Sequence, residues 1–227
     1  MFGHNPKLPA ENSDGSVLKI TSIFATFQGE GPYVGQSCVF IRLSGCNLAC
    51  SFCDTDFDDY IEMPVDAIVE KIRLAWCSFT SRLSSMPPLV VVTGGEPLRQ
   101  NIDKLCRILI EQGVIIQIET NGTIWRPIPP QVQVVCSPKV IVGKYYQIRD
   151  DILQQTIAIK FLVSTYQSGY EDISDVGQEQ YRIPVYIQPM DHYDHAKNTA
   201  NMELAMRLAA KYNARISVQL HKIIGIE

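Results

Sequence analysis

The sequence lacks any apolar stretch long enough to span a bilayer, and it lacks an excess of positive charge. Its 20 Lys and Arg residues against 24 Asp and Glu give a formal net charge of −4. This balance argues against a nucleic-acid partner, because affinity for nucleic acid comes mainly from cationic side chains on phosphates. Residues 1–16 also lack the apolar core of an export signal. We expect them to be a flexible leader, and residues 17–227 to be a single cytoplasmic domain away from membranes.

The sequence also lacks the context of a disulfide framework. Seven cysteines in a chain without an export signal favour reduced thiols or metal ligands. Four of them have apolar neighbours, as is typical of buried packing cysteines: Cys38, Cys77, Cys106 and Cys136. The other three, Cys46, Cys50 and Cys53, lie within eight residues among small and polar neighbours. Their spacing makes them the candidate metal ligands.

Short apolar runs recur along the chain, and most are continuous rather than alternating. Such runs are typical of strands buried on both faces of a parallel sheet. The predicted strands are 38–43, 89–92, 114–118, 132–135, 157–163, 185–187 and 216–220. Helical spacing of apolar residues predicts helices at 65–78, 98–112 and 198–212.

Alternating strands and helices predict a parallel α/β sheet. Seven strands are too few for a closed eight-unit barrel, so a partial, splayed barrel or an open sheet is expected. The connection at residues 121–131 is short and rich in proline, which predicts an irregular loop without a crossover helix.

Polar and glycine-containing segments follow five of the predicted strands. These segments are residues 45–55, 93–97, 119–122, 137–139 and 188–191. In parallel α/β folds the carboxyl ends of the strands lie on one side of the sheet, where ligands bind. We therefore expect these segments to converge on one site.

The three closely spaced cysteines stand at positions i, i+4 and i+7 of one loop. Iron–sulfur clusters are normally held by four Cys thiolates. A cluster held by three would leave one iron open to a cofactor or substrate, as in catalytic zinc sites. Two other interpretations remain at this point: three packing cysteines, or a zinc site completed by a distant His or Cys.

The cysteine spacing, followed by GGEP at residues 94–97, resembles the radical S-adenosylmethionine (SAM) superfamily. The resemblance implies a small form of the partial, splayed (β/α) barrel of the radical SAM type. It also implies a 4Fe-4S cluster on Cys46, Cys50 and Cys53, with SAM on the open iron. An electron from the reduced cluster would cleave SAM to methionine and a 5'-deoxyadenosyl radical.

Further segments narrow the resemblance: FQGEGPYVG, QIETNGT, VVCSPK, IQPM and SVQLHK. With them, the chain from Ile23 onward resembles the 7-carboxy-7-deazaguanine synthase family. The resemblance implies a lyase that converts 6-carboxy-5,6,7,8-tetrahydropterin to 7-carboxy-7-deazaguanine, on the route to queuosine and related 7-deazapurines. It also implies Mg2+, a homodimer and an electron donor such as flavodoxin or ferredoxin. Alternatives are another small radical SAM enzyme, such as a glycyl-radical activating enzyme, or a non-enzymatic iron–sulfur electron carrier.

The resemblance assigns site residues position by position. The implied SAM contacts are Phe52, Cys53, Asp54, Gly95, Glu96, Ser137, Pro138, Lys139, Gln188, Pro189, Met190 and Asp191. The implied substrate contacts are Phe27, Gln28, Gly29, Glu30, Arg42, Thr93 and Glu227. Arg42 would hold the substrate carboxylate with its forked donors. Taken singly, Arg42 could instead be a surface charge, and Lys139 a solvated loop lysine.

The resemblance places Mg2+ on the hydroxyl of Thr55. Magnesium prefers octahedral oxygen coordination and often shares substrate oxygens, so one threonine suffices only if the substrate supplies further ligands. On chemistry alone the neighbouring Asp54 or Asp56 would be the stronger ligand, and both remain candidates.

Overall fold

The computed structural model describes residues 5–53, 55, 59–81 and 85–226. Within them, one sheet is formed by β1 (Val17–Phe27), β2 (Ser37–Leu43), β3 (Ile61–Pro64), β4 (Leu89–Gly94), β5 (Ile115–Thr120), β6 (Gln133–Cys136), β9 (Thr156–Val163), β10 (Val185–Pro189) and β11 (Arg215–Ile216). The strands β7 (Val140–Ile141) and β8 (Lys144–Tyr145) form a separate antiparallel hairpin.

The order of strands across the sheet is β11-β10-β9-β6-β5-β4-β2-β1-β3. From β2 to β11 all neighbours are parallel, whereas β1 and β3 pair antiparallel at one edge. The edge strands β3 and β11 do not pair with each other, so the sheet stays open. This arrangement confirms the predicted partial α/β barrel.

The helices are α1 (Val65–Thr80), α2 (Asp103–Glu111), α3 (Asp150–Leu153), α4 (Gln178–Tyr181), α5 (His195–Tyr212) and α6 (Leu220–Ile224). The helix α1 buries Ile68, Ile72 and Trp76, which recur at helical spacing and therefore share one face. The side chain of Asp194 caps α5 by accepting a hydrogen bond from the Lys197 backbone N–H. Among the described residues, no helix combines the length and apolarity needed to cross a membrane.

Two predicted elements differ most from the structure in their bounds. The predicted strand at 216–220 ends at Ile216, and Leu220 instead begins α6. The chain leaves the sheet there because the Leu220 N–H bonds to the Gly29 carbonyl across its carboxyl edge. The predicted helix at 98–112 begins only at Asp103, since Gln100 is extended and its side chain bonds to the Lys19 backbone.

The strand β1 was not predicted, because its apolar residues alternate with polar ones and do not form a continuous run. Such alternation is typical of an antiparallel strand with one solvated face. The connection at residues 121–131 contains no helix, as predicted.

The described part of the N-terminal segment differs from the expected flexible leader. Lys7 forms an isolated bridge with Cys46, and the side chain of Asn101 donates to the Ser13 carbonyl. Backbone groups of residues 7–13 therefore have partners on the domain, which polar composition alone does not reveal.

Candidate functional site

A cavity lies at the carboxyl ends of the parallel strands. Its wall is built from the segments that follow β2, β4, β5, β6 and β10, together with the end of β1 and the beginning of α6. The expected convergence of these segments is confirmed.

Most predicted site residues line this cavity. They are Phe27, Gln28, Gly29, Glu30, Arg42, Cys46, Cys50, Phe52, Cys53, Thr55, Thr93, Gly95, Ser137, Lys139, Gln188, Pro189, Met190 and Asp191. Glu96 and Pro138 are buried and are not part of the wall. Asp54, Asp56 and Glu227 lie outside the described residues.

The three closely spaced cysteines line the cavity, and none of them forms a disulfide. Burial raises the pKa of the Cys46 thiol to about 11, and the negative charges of Glu96, Cys50 and Cys53 act in the same direction. Three ionised thiols in this position therefore need a compensating cation. Iron ions of a cluster meet this need, because a bound metal stabilises the thiolate form.

The donor set fits a cluster of several iron atoms. Among the described residues, no group of three or more His, Cys, Asp or Glu side chains is gathered closely enough to hold a single metal ion. A four-iron cluster binds each thiolate through a different iron atom, so its cysteines stand further apart than the ligands of one ion. Cys46, Cys50 and Cys53 line one cavity, as three ligands of one cluster would.

Glu96 is buried and is not among the residues that line the cavity. Its carboxylate accepts hydrogen bonds from the Leu98 N–H at 3.0 Å, the Thr120 hydroxyl at 2.7 Å and the Asn121 N–H at 2.8 Å. Burial raises the pKa of this carboxyl, against the effect of these donors. The side chain thus joins the end of β5 to the GGEP loop, and a contact of Glu96 with SAM stays a prediction.

The two glycines before Glu96 allow the GGEP loop to approach the cysteine loop. A Cβ atom on Gly95 would lie 2.0 Å from the Gly45 carbonyl oxygen, and one on Gly94 would lie 2.1 Å from the Leu43 carbonyl oxygen. The Glu96 N–H donates to the same Gly45 carbonyl at 3.0 Å. Only glycine fits this close backbone contact, which brings the two motifs to one wall.

The cavity wall also contains an ionic group with little exposure to solvent. The Lys160 ammonium pairs with Glu30 and lies 3.2 Å from a Glu119 carboxylate oxygen. Glu30 also accepts from the side-chain amides of Gln188 at 3.0 Å and Gln219 at 2.9 Å. Two carboxylates thus share one cation, and most of their lone pairs accept hydrogen bonds from neighbouring side chains.

The charges of this group depend on each other. Burial alone would raise the pKa of Glu30, but the charge and hydrogen bond of Lys160 and the Gln219 amide lower it to about 2. Burial acts to lower the pKa of Lys160, and the attraction of Glu119 and Glu30 outweighs it, so the pKa is raised. Glu30 and Lys160 are therefore ionised near neutral pH.

Arg42 is a half-buried cation in the cavity wall. Its guanidinium lies over the Phe24 ring, 5.6 Å from the centroid, and Phe24 stacks on Phe40. None of the ion pairs among the described residues includes Arg42. A cation held in this way can bind the carboxylate of a ligand.

The segments predicted to contact SAM are held by polar contacts of their own. The Lys139 ammonium donates to the Ser137 carbonyl and hydroxyl at 2.8 and 2.7 Å. The Asp191 carboxylate accepts from Asn198 at 2.7 Å and pairs with Lys222 at 2.5 Å. The side-chain amide of Gln188, which is predicted to contact SAM, donates to Glu30.

Sequence reasoning missed part of the cavity wall. The lining residues that lie outside both the predicted site residues and the predicted converging segments are Phe24, Phe40, Lys160, Leu162, Tyr193, Gln219, His221 and Lys222. One of them carries a readable signal, since Lys160 interrupts the apolar run of β9 and a buried lysine needs a charged partner.

Comparison with known proteins places these features in context. A family model described as the Radical SAM superfamily matches residues 40–133. A 7-carboxy-7-deazaguanine synthase of Rickettsia prowazekii is 49% identical over 100% of this chain and 96% of its own length. One of Rhodospirillum rubrum is 34% identical over 100% of both chains. The crystal structure of QueE from Escherichia coli shares the fold, with a TM-score of 0.69 and 24% identity over 90% of this chain and 95% of that one.

Proposed function

The chain belongs to the 7-carboxy-7-deazaguanine synthase family of radical SAM enzymes, and from this premise we propose that it converts 6-carboxy-5,6,7,8-tetrahydropterin to 7-carboxy-7-deazaguanine with loss of ammonia. The product serves queuosine and related 7-deazapurines. The observation that carries the proposal is one cavity whose wall contains the three closely spaced cysteines, Arg42 and an ionised Glu30.

In the proposed mechanism Cys46, Cys50 and Cys53 hold a 4Fe-4S cluster with SAM on its open iron. When bound, the cluster and SAM supply a 5'-deoxyadenosyl radical that removes a hydrogen atom from the substrate. The chain's own contribution is orientation and the exclusion of competing reactions. Phe52 and Met190 would contact SAM from two sides of the cavity, since both line its wall.

Arg42 is proposed to bind the substrate carboxylate. Its fork of N–H donors suits a carboxylate, and stacking on Phe24 restricts its position. The ring end of the pterin would then lie towards Gln28, Gly29 and Glu30, where an ionised carboxylate accepts hydrogen bonds from ring N–H groups. Lys160 supports this role because it lowers the pKa of Glu30 and keeps it an acceptor.

The proposal is tested by anaerobic incubation of reconstituted protein with reductant, SAM and the carboxylated tetrahydropterin. Mass spectrometry is expected to detect the deazapurine and 5'-deoxyadenosine. Cys50→Ala should abolish both the cluster and SAM cleavage, whereas Cys106→Ala, which removes a buried packing thiol, should retain both. Deoxyadenosine formed by the Cys50→Ala variant, or without any deazapurine in the native protein, would contradict the proposal.

A magnesium ion is proposed to bind through Thr55 together with substrate oxygens. Because Mg2+ favours octahedral oxygen coordination and retains waters, a single hydroxyl binds it weakly. Calorimetry is therefore expected to detect little Mg2+ binding to the SAM-bound protein and clear binding once substrate is added. Tight binding before substrate would contradict this assignment.

The remaining partners are proposed from the family resemblance. A flavodoxin or ferredoxin would supply the electron, and two copies of the chain would form a homodimer in the cytoplasm. Sedimentation of the native protein at the mass of one chain would contradict the dimer. Failure of both reduced donors to support SAM cleavage would contradict the choice of donor.

A further inference from the structure

The N-terminal segment lies directly on the loop that carries the three cysteines. We define residues 5–11 as the strap and the described residues 44–53 and 55 as the cluster loop. The Leu8 N–H donates to the Cys46 carbonyl at 2.8 Å, next to the bridge between Lys7 and Cys46. The strap therefore holds the beginning of the cluster loop through the backbone.

Asn5 holds the other end of the cluster loop. Its side-chain amide donates to the Thr55 carbonyl at 2.7 Å and lies 3.5 Å from the Cys53 sulfur. One amide thus contacts both a predicted cluster ligand and the backbone just beyond it. With the Leu8 contact, the strap touches the first and the last of the three cysteines.

The far end of the strap is fixed by a buried arginine. The Arg99 guanidinium, whose side chain is 4% exposed, pairs with Glu11 at 2.6 Å. It also donates to the Pro9 carbonyl at 3.1 Å and to the Ser44 carbonyl at 3.2 Å. Arg126 donates to the Glu11 and Arg99 carbonyls. These contacts tie the strap, the start of the cluster loop and the residues after the GGEP motif into one unit.

The contact with sulfur has an electronic consequence as well as a structural one. A hydrogen bond to a thiolate stabilises its negative charge, and such charge is greater in the reduced cluster than in the oxidised one. Hydrogen bonds to the sulfurs are among the factors that set the potential of an iron–sulfur cluster. A donor on Cys53 therefore makes the cluster easier to reduce.

We propose that Asn5 is a positioning residue for the cluster, and that the strap clamps the cluster loop while the Asn5 amide raises the cluster potential through Cys53. This role rests on the proposed function in one respect, which is that Cys53 binds a cluster. It concerns neither the identity of the substrate nor the product.

The proposal is tested on the full chain, reconstituted with iron and sulfide, with no substrate present. Asn5→Ala removes the donor, and Asn5→Asp keeps the shape but replaces the donor with a negative charge. Asn12→Ala is the matched control, because Asn12 belongs to the same N-terminal segment and its side chain is exposed. Redox titration followed by EPR gives the potential, and an iron chelator gives the rate of iron loss.

The cluster of Asn5→Ala is expected to have a more negative potential than that of the native protein, and Asn5→Asp a still more negative one. Iron release from Asn5→Ala should be about tenfold faster, the factor expected for loss of one hydrogen bond to a charged group. Asn12→Ala should match the native protein in both measurements. The unfolding temperature of the cluster-free protein separates these effects from a change in folding.

Equal potentials in the native protein and Asn5→Ala would overturn the proposed role of Asn5, even if the cluster-free variant were less stable. Equal shifts in Asn5→Ala and Asn12→Ala would overturn it too, because only Asn5 contacts sulfur. Failure of the native protein to bind a cluster on its three cysteines would instead contradict the proposed function. The two failures are therefore distinguishable.

Discussion

At the scale of single residues, Lys160 determines which groups in the cavity are charged. Its side chain is 6% exposed and neutralises one of two neighbouring carboxylates, Glu30 and Glu119. A buried ion pair adds little stability beyond an apolar pair of similar shape, but the loss of one partner leaves a buried charge uncompensated. The lysine is therefore more important for keeping Glu30 ionised than as a source of stability in itself.

Lys160→Met is expected to lower the free energy of unfolding at pH 7 by about 3–5 kcal/mol, because two buried carboxylates lose their cation. Denaturant unfolding monitored by circular dichroism measures the change. The double variant Lys160→Met/Glu119→Gln should regain part of the loss, since only one carboxylate then remains. Equal stability of the two variants would contradict this account of the ionic group.

The effect of acidification on stability should have opposite signs in the native protein and in Lys160→Met. In the native protein the pKa of Glu30 falls from 4.5 to about 2 on folding, so its contribution is present above pH 4.5 and is lost as the pH falls towards 2. In Lys160→Met, burial without a cation raises that pKa above its unfolded value. Acidification from pH 7 to about 5 should then stabilise the variant, because a protonated carboxyl is buried at lower cost. Unfolding at both pH values measures this difference.

At the scale of elements, α6 closes the cavity although it buries none of its residues. It is held by the Leu220 N–H on the Gly29 carbonyl, by Gln219 on Glu30 and by Lys222 on Asp191. Its position therefore depends on a few contacts with cavity residues. The packing at Gly29 leaves no room for a side chain, since a Cβ there would lie 2.1 Å from the His221 ring nitrogen.

Gly29→Ala is expected to displace α6 and to raise the KM for the pterin by about tenfold, as for the loss of one strong contact. SAM cleavage should continue, with more deoxyadenosine formed per deazapurine. Gly35→Ala is the control. A Cβ at Gly35 would meet no atom within 4 Å, so the positive φ of 84° is the only obstacle to a side chain there. This variant should lose about 1–2 kcal/mol of stability through backbone strain and keep its KM. An unchanged KM in Gly29→Ala would show that the position of α6 does not affect substrate binding.

At the scale of the whole molecule, the cavity is built from residues that are distant in the sequence, from β1 to α6. A ligand that binds only this folded arrangement stabilises the entire chain by mass action. SAM at 100 times its Kd should raise the free energy of unfolding of the cluster-loaded protein by about 2.7 kcal/mol. For a chain of this length, each kcal/mol of added stability is expected to raise the unfolding temperature by about 2–4 °C.

Thermal unfolding under anaerobic conditions measures this shift. The Cys50→Ala variant is the control, because without the cluster SAM has no iron to bind. A similar shift in that variant would place SAM binding away from the cluster. No shift in the loaded native protein would contradict SAM as its ligand.

The sequence by itself determined the features that depend on neighbouring residues. The continuous apolar runs identified most strands of the parallel sheet. The proline-rich stretch at 121–131 correctly predicted a connection without a helix. The spacing of Cys46, Cys50 and Cys53 identified the candidate cluster loop. Each is a local pattern, since the periodicity of a strand or helix and the spacing of a short motif depend only on residues that are close in the sequence.

Only the tertiary structure decided the rest. The Glu96 carboxylate accepts a hydrogen bond from the Asn121 N–H. Lys160 and Gln219 both donate hydrogen bonds to Glu30, from which they are separated by 130 and 189 positions of sequence. The packing of the N-terminal segment on the cluster loop belongs to the same class. Contacts between distant residues arise only when the sheet brings strand ends together, and no local pattern encodes which partners then meet.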